Sequence, residues 1–149
     1  MIQEKYNKLK SKYRLPDFSE INNEFEISTI EQEDFLLREI RREIAERISF
    51  FADLIGGILN PEASASIMEF GVLGDDDSKQ AIELYKKLMY WVRYSAETSV
   101  FADDKKDAEF IKSIFEEWKS LKKEVAAMIS KMKESWRQKP KKEEDEYLL

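Results

Sequence analysis

The amino-acid sequence predicts an all-α protein, a bundle of three long helices with two or three short helices packed on it. Two observations carry this prediction. Only 4 Gly and 3 Pro interrupt the 149 residues, which favours long helices over a β-sandwich. Apolar residues also recur at spacings of three and four, the period of a helix with one buried face. We expect residues 1–140 to form a single helical domain and residues 141–149 to form a flexible acidic tail.

The two N-terminal helices are predicted to be short. Residues 2–13 carry apolar side chains at spacings of 4, 3 and 4, and Leu15-Pro16 ends this helix. Asp17, with Glu20 three residues later, is typical of a capping box that opens a second short helix running to about Glu26.

The first long helix is predicted over residues 29–59. Residues 28–32 offer two overlapping capping boxes, which favour a helix start at this point. The Gly56-Gly57 pair predicts a bend or an early stop near the end of the helix. The apolar residues that define its buried face are Leu37, Ile40, Ile44, Ile48, Phe51, Ile55 and Ile58.

Three further helices are predicted in the second half. Asn60-Pro61-Glu62 opens a short helix, followed by a long helix over about 77–101 and another over about 104–138. Because the 77–101 helix is apolar nearly all round, we expect it at the centre of the fold. Asp103-Asp104 is predicted to cap the last helix. We interpret the aromatic residues of the central helix as core: Tyr85, Tyr90, Trp91 and Tyr94.

The composition limits the chemistry that this chain can perform. Apolar residues make up 42% of the chain, enough for a core at this length. The chain has no Cys and no His, which excludes Ser-His-Asp and Cys-His catalysis, zinc fingers, Fe–S clusters and imidazole switches. We therefore expect no cofactor and no catalytic residues, and we favour a protein that is not an enzyme.

One group of carboxylates is a candidate for metal binding, since carboxylates bind hard cations such as Mg²⁺. Glu39, Glu43 and Glu46 share one face of the first long helix. All-α nucleotide pyrophosphatases of the MazG kind use a Glu-Glu-x-x-Glu run and a later Glu-x-x-Asp. Here residues 39–43 read Glu-Ile-Arg-Arg-Glu, which departs from the first motif, and the central helix lacks the second.

Surface ion pairing is the simpler interpretation of these acids. We expect Glu39 and Glu43 to pair with Arg42 and Arg47 on the helix surface. Asp75-Asp76-Asp77 lacks the spacing of an EF-hand loop, so we interpret it as acid at a helix N-terminus. No metal ligand is therefore predicted, and a Mg²⁺-dependent enzyme acting on a phosphorylated small molecule or nucleotide is the alternative hypothesis.

The charges are segregated along the chain. Residues 119–142 are strongly basic and include Trp136, a combination that single-stranded nucleic acid binding uses. Against this, Lys+Arg is 25 and Asp+Glu is 31, so the net charge is -6. We interpret the charge runs as solvated helix faces and do not expect a nucleic-acid partner.

The most distinctive feature is the segment at the end of the sequence. Four acidic residues, 143–146, precede Tyr147-Leu148-Leu149. Apolar side chains beside a free carboxylate are what C-terminal peptide-capture sites recognise. Glu144 followed by Leu148-Leu149 also fits an acidic dileucine pattern. We therefore predict four partner-binding residues: Glu144, Tyr147, Leu148 and Leu149.

These observations favour a non-catalytic helical interaction or adaptor protein that binds a protein partner through helix faces and its C-terminal tail. We also expect that copies of the chain can associate into homo-oligomers through their helix faces. The N-terminus lacks a secretory signal and the most apolar stretch is too short to span a bilayer, so we expect a cytoplasmic protein without a membrane partner. Abundant Glu and Lys with scarce Asn and Gln are typical of a thermophilic, archaeal source.

Overall fold

The structure of the chain, a computed structural model, describes residues 2–59 and 74–137. Within those ranges it contains α-helices and a 3-10 turn but no strand, which confirms the predicted all-α class with three long helices and shorter ones. The helix predicted after Asn60 lies outside the described residues. The helices are Ile2–Tyr13 (α1), Phe18–Phe25 (α2), Leu36–Ile58 (α3), Asp75–Ser99 (α4) and Asp104–Ser135 (α5), and the 3-10 turn is Ile27–Thr29.

The chain divides into two compact units. Unit 1 comprises Met1–Ser49 and Tyr90–Lys119, and unit 2 comprises Phe50–Met89 and Ser120–Leu149. Each long helix therefore contributes one part to each unit. The prediction of a single domain over residues 1–140 stays a prediction.

The junction between α1 and α2 in unit 1 is fixed by a buried tyrosine. The Tyr6 side chain is fully buried, and its hydroxyl donates a hydrogen bond of 2.6 Å to the carbonyl of Pro16. The ring of Phe18 packs edge-on against Tyr6 at 5.5 Å. The predicted capping box is wrong, because Asp17 makes no side-chain cap and pairs with Lys10 instead.

The long helix α3 begins at Leu36 rather than at residue 29. The Ser28 amide donates to the Asn22 side chain at 2.8 Å, and the Thr29 hydroxyl donates to the carbonyl of Glu26 at 2.9 Å. Both residues therefore stabilise the preceding turn and do not cap the following helix. Phe35 then has a left-handed φ of 56°, so regular helix begins only after it.

Gly56 does not stop α3, which continues to Ile58. A Cβ atom at this position would lie 2.7 Å from Cε2 of Tyr85 on α4. The glycine therefore allows α3 and the Tyr85 ring to approach closely within unit 2.

The apolar faces of α3 and α5 form the core of the units. On α3 the predicted residues are buried except Phe51, which is half-buried. On α5 the buried residues keep spacings of three and four: Ile111, Ile114, Trp118, Leu121, Val125, Met128 and Met132. These stripes confirm the sequence periodicity.

The helix α4 is buried along one stripe only, which does not support the prediction that it lies at the centre of the fold. Its buried residues are Ala81, Leu84, Leu88, Trp91, Ser95 and Thr98. Their spacing of three and four places them on one face, and the apolar side chains on the other faces remain in contact with solvent. Tyr90 and Ile82 are exposed.

Unit 1 also buries an ion pair. Arg41 is 2% exposed; its Nε donates to Asp107 at 2.7 Å, and its guanidinium also donates to the carbonyl and hydroxyl of Ser95 at 2.9 and 2.7 Å. Burial raises the pKa of Asp107, and the hydrogen bond and charge of Arg41 oppose that rise. The pair joins α3, α4 and α5 within unit 1.

Candidate interaction surface

The most exposed aromatic cluster of unit 1 lies at the end of α4. Tyr90 is 60% exposed, and its ring contacts Trp91 edge-on at 5.1 Å and Tyr94 edge-on at 6.1 Å. The sequence predicts that these aromatic residues belong to the core. That is correct for Trp91, which is buried, and wrong for Tyr90.

The half-buried Tyr94 is held between two rings of the core. It stacks on Trp91 at 5.7 Å with an interplanar angle of 11°, and it meets Phe110 of α5 edge-on at 5.1 Å. Stacked and edge-to-face contacts are the favoured arrangements of aromatic pairs. The exposed part of Tyr94 is therefore pre-positioned on a rigid support.

The connection between α4 and α5 extends the aromatic surface. The amides of Val100 and Phe101 donate to the carbonyls of Glu97 and Thr98, at 3.2 and 3.1 Å, in a tight turn after α4. This turn leaves Val100 78% and Phe101 48% exposed. Tyr90, Tyr94, Val100 and Phe101 together are named the aromatic face of unit 1.

A depression of about 210 Å³ lies in this face. Tyr94 and Phe101 provide its aromatic walls, and Lys106 places its ammonium 4.5 Å from the centre of the Phe101 ring. Asp103 caps α5 by accepting the Lys105 amide at 2.9 Å, as predicted, and this fixes the turn that carries Lys106. The remaining lining residues are Glu97, Thr98 and Glu109. We name it the Tyr94–Phe101 depression.

The pKa of the Tyr94 hydroxyl reflects the electrostatics of the depression. Burial raises the pKa of its hydroxyl first, and the negative charge of Glu109 raises it further, with smaller contributions from Tyr90 and Glu97. A hydrogen bond from Ser113 lowers it. The phenol therefore lies in a partly desolvated, negatively charged environment.

The carboxylates that suggested a metal site lie elsewhere in unit 1. Glu39, Glu43 and Glu46 line a shallow depression of about 270 Å³ that also includes Arg42. Arg42 pairs with Glu39 at 3.3 Å, as predicted, but Arg47 pairs with Glu26 at 3.1 Å rather than with Glu43. In residues 2–59 and 74–137 no group of three or more potential ligands is close enough to hold a metal ion.

The other charged clusters form ordinary surface pairs. Asp75-Asp76-Asp77 opens α4 as acid in its first turn, and Asp77 pairs with Lys131 in unit 2. Lys133 pairs with Glu134 at 3.6 Å. Trp136, which would stack on a base if the chain bound single-stranded nucleic acid, is exposed.

Unit 2 has an apolar groove between α4 and α5, with a volume of about 340 Å³. Leu84, Ala127 and Met128 form its apolar part, and charged residues of both helices line its rim. None of the described helices is long and apolar enough to cross a lipid bilayer. The predicted partner-binding residues Glu144, Tyr147, Leu148 and Leu149 lie outside the described residues.

No protein-family model, no curated protein and no solved structure matches this chain. The aromatic residues of α4 are evident from the sequence, whereas Val100, Phe101 and the depression beside them are not. Phe101 follows the last turn of α4, where no helical period distinguishes a buried from an exposed position. Its exposure depends on the turn that joins α4 to α5.

Proposed function

We propose that this chain is a non-catalytic interaction or adaptor protein that binds a protein partner through the aromatic face of unit 1. The observation that carries the proposal is the exposure of Tyr90, whose ring contacts the anchored Tyr94, and of Phe101, which lines the same depression as Tyr94. Exposed apolar patches mark interaction sites, and tyrosine is enriched among the residues that dominate binding energy. Because Trp91 and Phe110 already hold Tyr94, binding would cost little side-chain entropy.

The C-terminal segment is the second element of the proposal. We infer that Tyr147, Leu148 and Leu149 add apolar anchors after an acidic run, with Glu144 contributing charge. Each apolar side chain contributes roughly 1.5–3 kcal/mol when buried in a partner, before ordering costs. Deleting residues 141–149 should leave helicity and thermal stability nearly unchanged and weaken binding of the partner.

Affinity capture from lysate of the native host tests the proposal. The double variant Tyr90→Ala/Phe101→Ala should lose a partner that the wild-type chain retains, because each truncated aromatic anchor removes on the order of 1–2 kcal/mol. The matched control is Phe50→Ala, since Phe50 is 59% exposed but belongs to unit 2. A chain that ends at Pro140 tests the contribution of the tail in the same assay. Equal capture by all four proteins would contradict the proposal.

The alternative of a Mg²⁺-dependent enzyme gains no support from this geometry. Glu39 is engaged with Arg42, and the carboxylates around it do not converge closely enough for a shared cation within the described ranges. We therefore give the interaction function alone as our proposal.

A further inference from the structure

We propose that the Tyr94–Phe101 depression binds the cationic side chain of a lysine or arginine in a basic segment of the partner protein. This inference rests on the proposed interaction function and specifies the chemistry of the partner at one site. Four features of the depression support it: its carboxylates, its aromatic walls, the Thr98 hydroxyl and its size.

Two carboxylates line the depression without a cation of their own. Glu97 on α4 and Glu109 on α5 are both exposed, and neither forms an ion pair with any residue in the described part of the chain. The charges of both residues raise the pKa of the Tyr94 hydroxyl, which places their negative potential at the aromatic wall. With Lys106 included, the charged lining residues carry one net negative charge. An anionic ligand would be repelled here.

The aromatic walls favour a cation. The Lys106 ammonium lies 4.5 Å from the centre of the Phe101 ring, so this ring already accepts a positive charge. Tyr94 presents a second ring, fixed by Trp91 and Phe110. Aromatic rings beside carboxylates are the combination that recognises ammonium and guanidinium groups.

Thr98 provides a further polar group. It lines the depression, and the residue as a whole is 4% exposed. Its hydroxyl can accept a hydrogen bond from the N–H groups of a lysine or arginine, which an apolar side chain lacks.

The size of the depression matches one long side chain. Its volume is about 210 Å³, which is smaller than the roughly 300–1,000 Å³ typical of sites for drug-sized ligands. A single extended lysine or arginine side chain is therefore a better match than a nucleotide or a larger cofactor.

Fluorescence anisotropy with a defined peptide tests this proposal. The probe is a fluorescein-labelled nonapeptide in which Lys alternates with Ser, and the control ligand is the same peptide with every lysine acetylated. Acetylation removes the charge and keeps the chain length. We expect the full-length chain to bind the lysine peptide at least about tenfold more tightly than the acetylated peptide.

Matched variants separate the depression from the overall charge. Glu97→Gln/Glu109→Gln should weaken binding about five- to tenfold, since it removes two carboxylates that face the cation. Glu20→Gln/Glu116→Gln changes the net charge equally at exposed positions outside the depression and should change affinity by less than about twofold. Far-UV circular dichroism of each variant confirms that it is folded.

Two further variants address the aromatic wall. Phe101→Leu keeps an apolar side chain and should weaken binding about two- to fivefold. Lys106→Gln should strengthen binding, because the resident ammonium competes for the Phe101 ring. Lys119→Gln is its control, since Lys119 lies over Phe115 at 5.4 Å, away from the depression.

Equal binding of the lysine and acetylated peptides would overturn the inference, as would equal affinities of the two glutamine pairs. These outcomes are distinguishable from failure of the proposed function. If Tyr90→Ala/Phe101→Ala still loses its partner in affinity capture, the interaction function stands and only the cationic site is wrong. If the peptide binds as expected but no partner is lost, the site stands and the proposed function fails.

Discussion

We expect the stability of unit 1 to depend on two buried side chains, Arg41 and Asp107. Both are buried, and they contact each other at 2.7 Å. Asp107→Leu leaves the guanidinium buried without its acid, so we expect the free energy of unfolding to fall by about 3–5 kcal/mol. Urea denaturation measures this loss. The double variant Arg41→Met/Asp107→Leu should be more stable than Asp107→Leu alone, and a less stable double variant would contradict this account.

The ionisation of Asp107 gives a prediction about pH. Because burial raises its pKa, the folded chain holds this proton more tightly than the unfolded chain does. The stability contributed by the group is present below the ordinary carboxyl pKa and is lost as the pH rises through the raised value. Asp107→Asn removes this titration and keeps an oxygen acceptor for Arg41.

Urea titrations of Asp107→Asn and the wild-type chain, from about pH 3 to pH 7, measure this dependence. The free energy of unfolding of the variant, relative to wild type, should increase with pH. A decrease over the same range would show that Arg41 outweighs the desolvation of the acid.

At the scale of the element, Gly56 determines how closely α3 approaches Tyr85. Replacing a helical glycine by alanine usually stabilises a helix by about 1 kcal/mol. Here the added Cβ would lie 2.7 Å from the ring, so Gly56→Ala should instead destabilise unit 2 by about 1–3 kcal/mol in thermal or urea unfolding. In a Tyr85→Ala background the same substitution should become stabilising. Stabilisation by Gly56→Ala with Tyr85 present would show that the ring moves aside freely.

The elements differ in how well the sequence predicts them. The buried stripes of α3 and α5 were predictable, because their apolar residues keep one helical period on an otherwise polar surface. The start of α3 was not, since Ser28 and Thr29 have the pattern of capping residues but hydrogen-bond to preceding residues. The sequence also does not predict which side of α4 is exposed, because a helix that is apolar nearly all round has no period that distinguishes one side from another.

The Tyr94–Phe101 depression could not be predicted from the sequence alone. Glu97 and Thr98 come from α4, Phe101 from the following turn, and Lys106 and Glu109 from α5. No spacing rule for a single helix joins these residues. Their proximity depends on the tight turn after Thr98 and on the packing of Tyr94 against Phe110.

For the molecule as a whole, we expect a fold that does not depend on a metal ion. The chain has neither Cys nor His, and Glu39 is engaged with Arg42. EDTA should therefore leave the melting temperature unchanged in a thermal scan. Any ligand that binds only the native state stabilises it, so a fall of several degrees would favour the metal-dependent alternative.

The proposed function requires that the aromatic face of unit 1 contacts a protein partner. The most direct measurement is photo-crosslinking in the native host, with p-benzoylphenylalanine placed at position 90 or, as a control, at position 50. Tyr90 and Phe50 are equally exposed aromatic residues that belong to different units. We expect a discrete adduct of higher mass from position 90 and none from position 50. No adduct from position 90, or the same adducts from both positions, would contradict it.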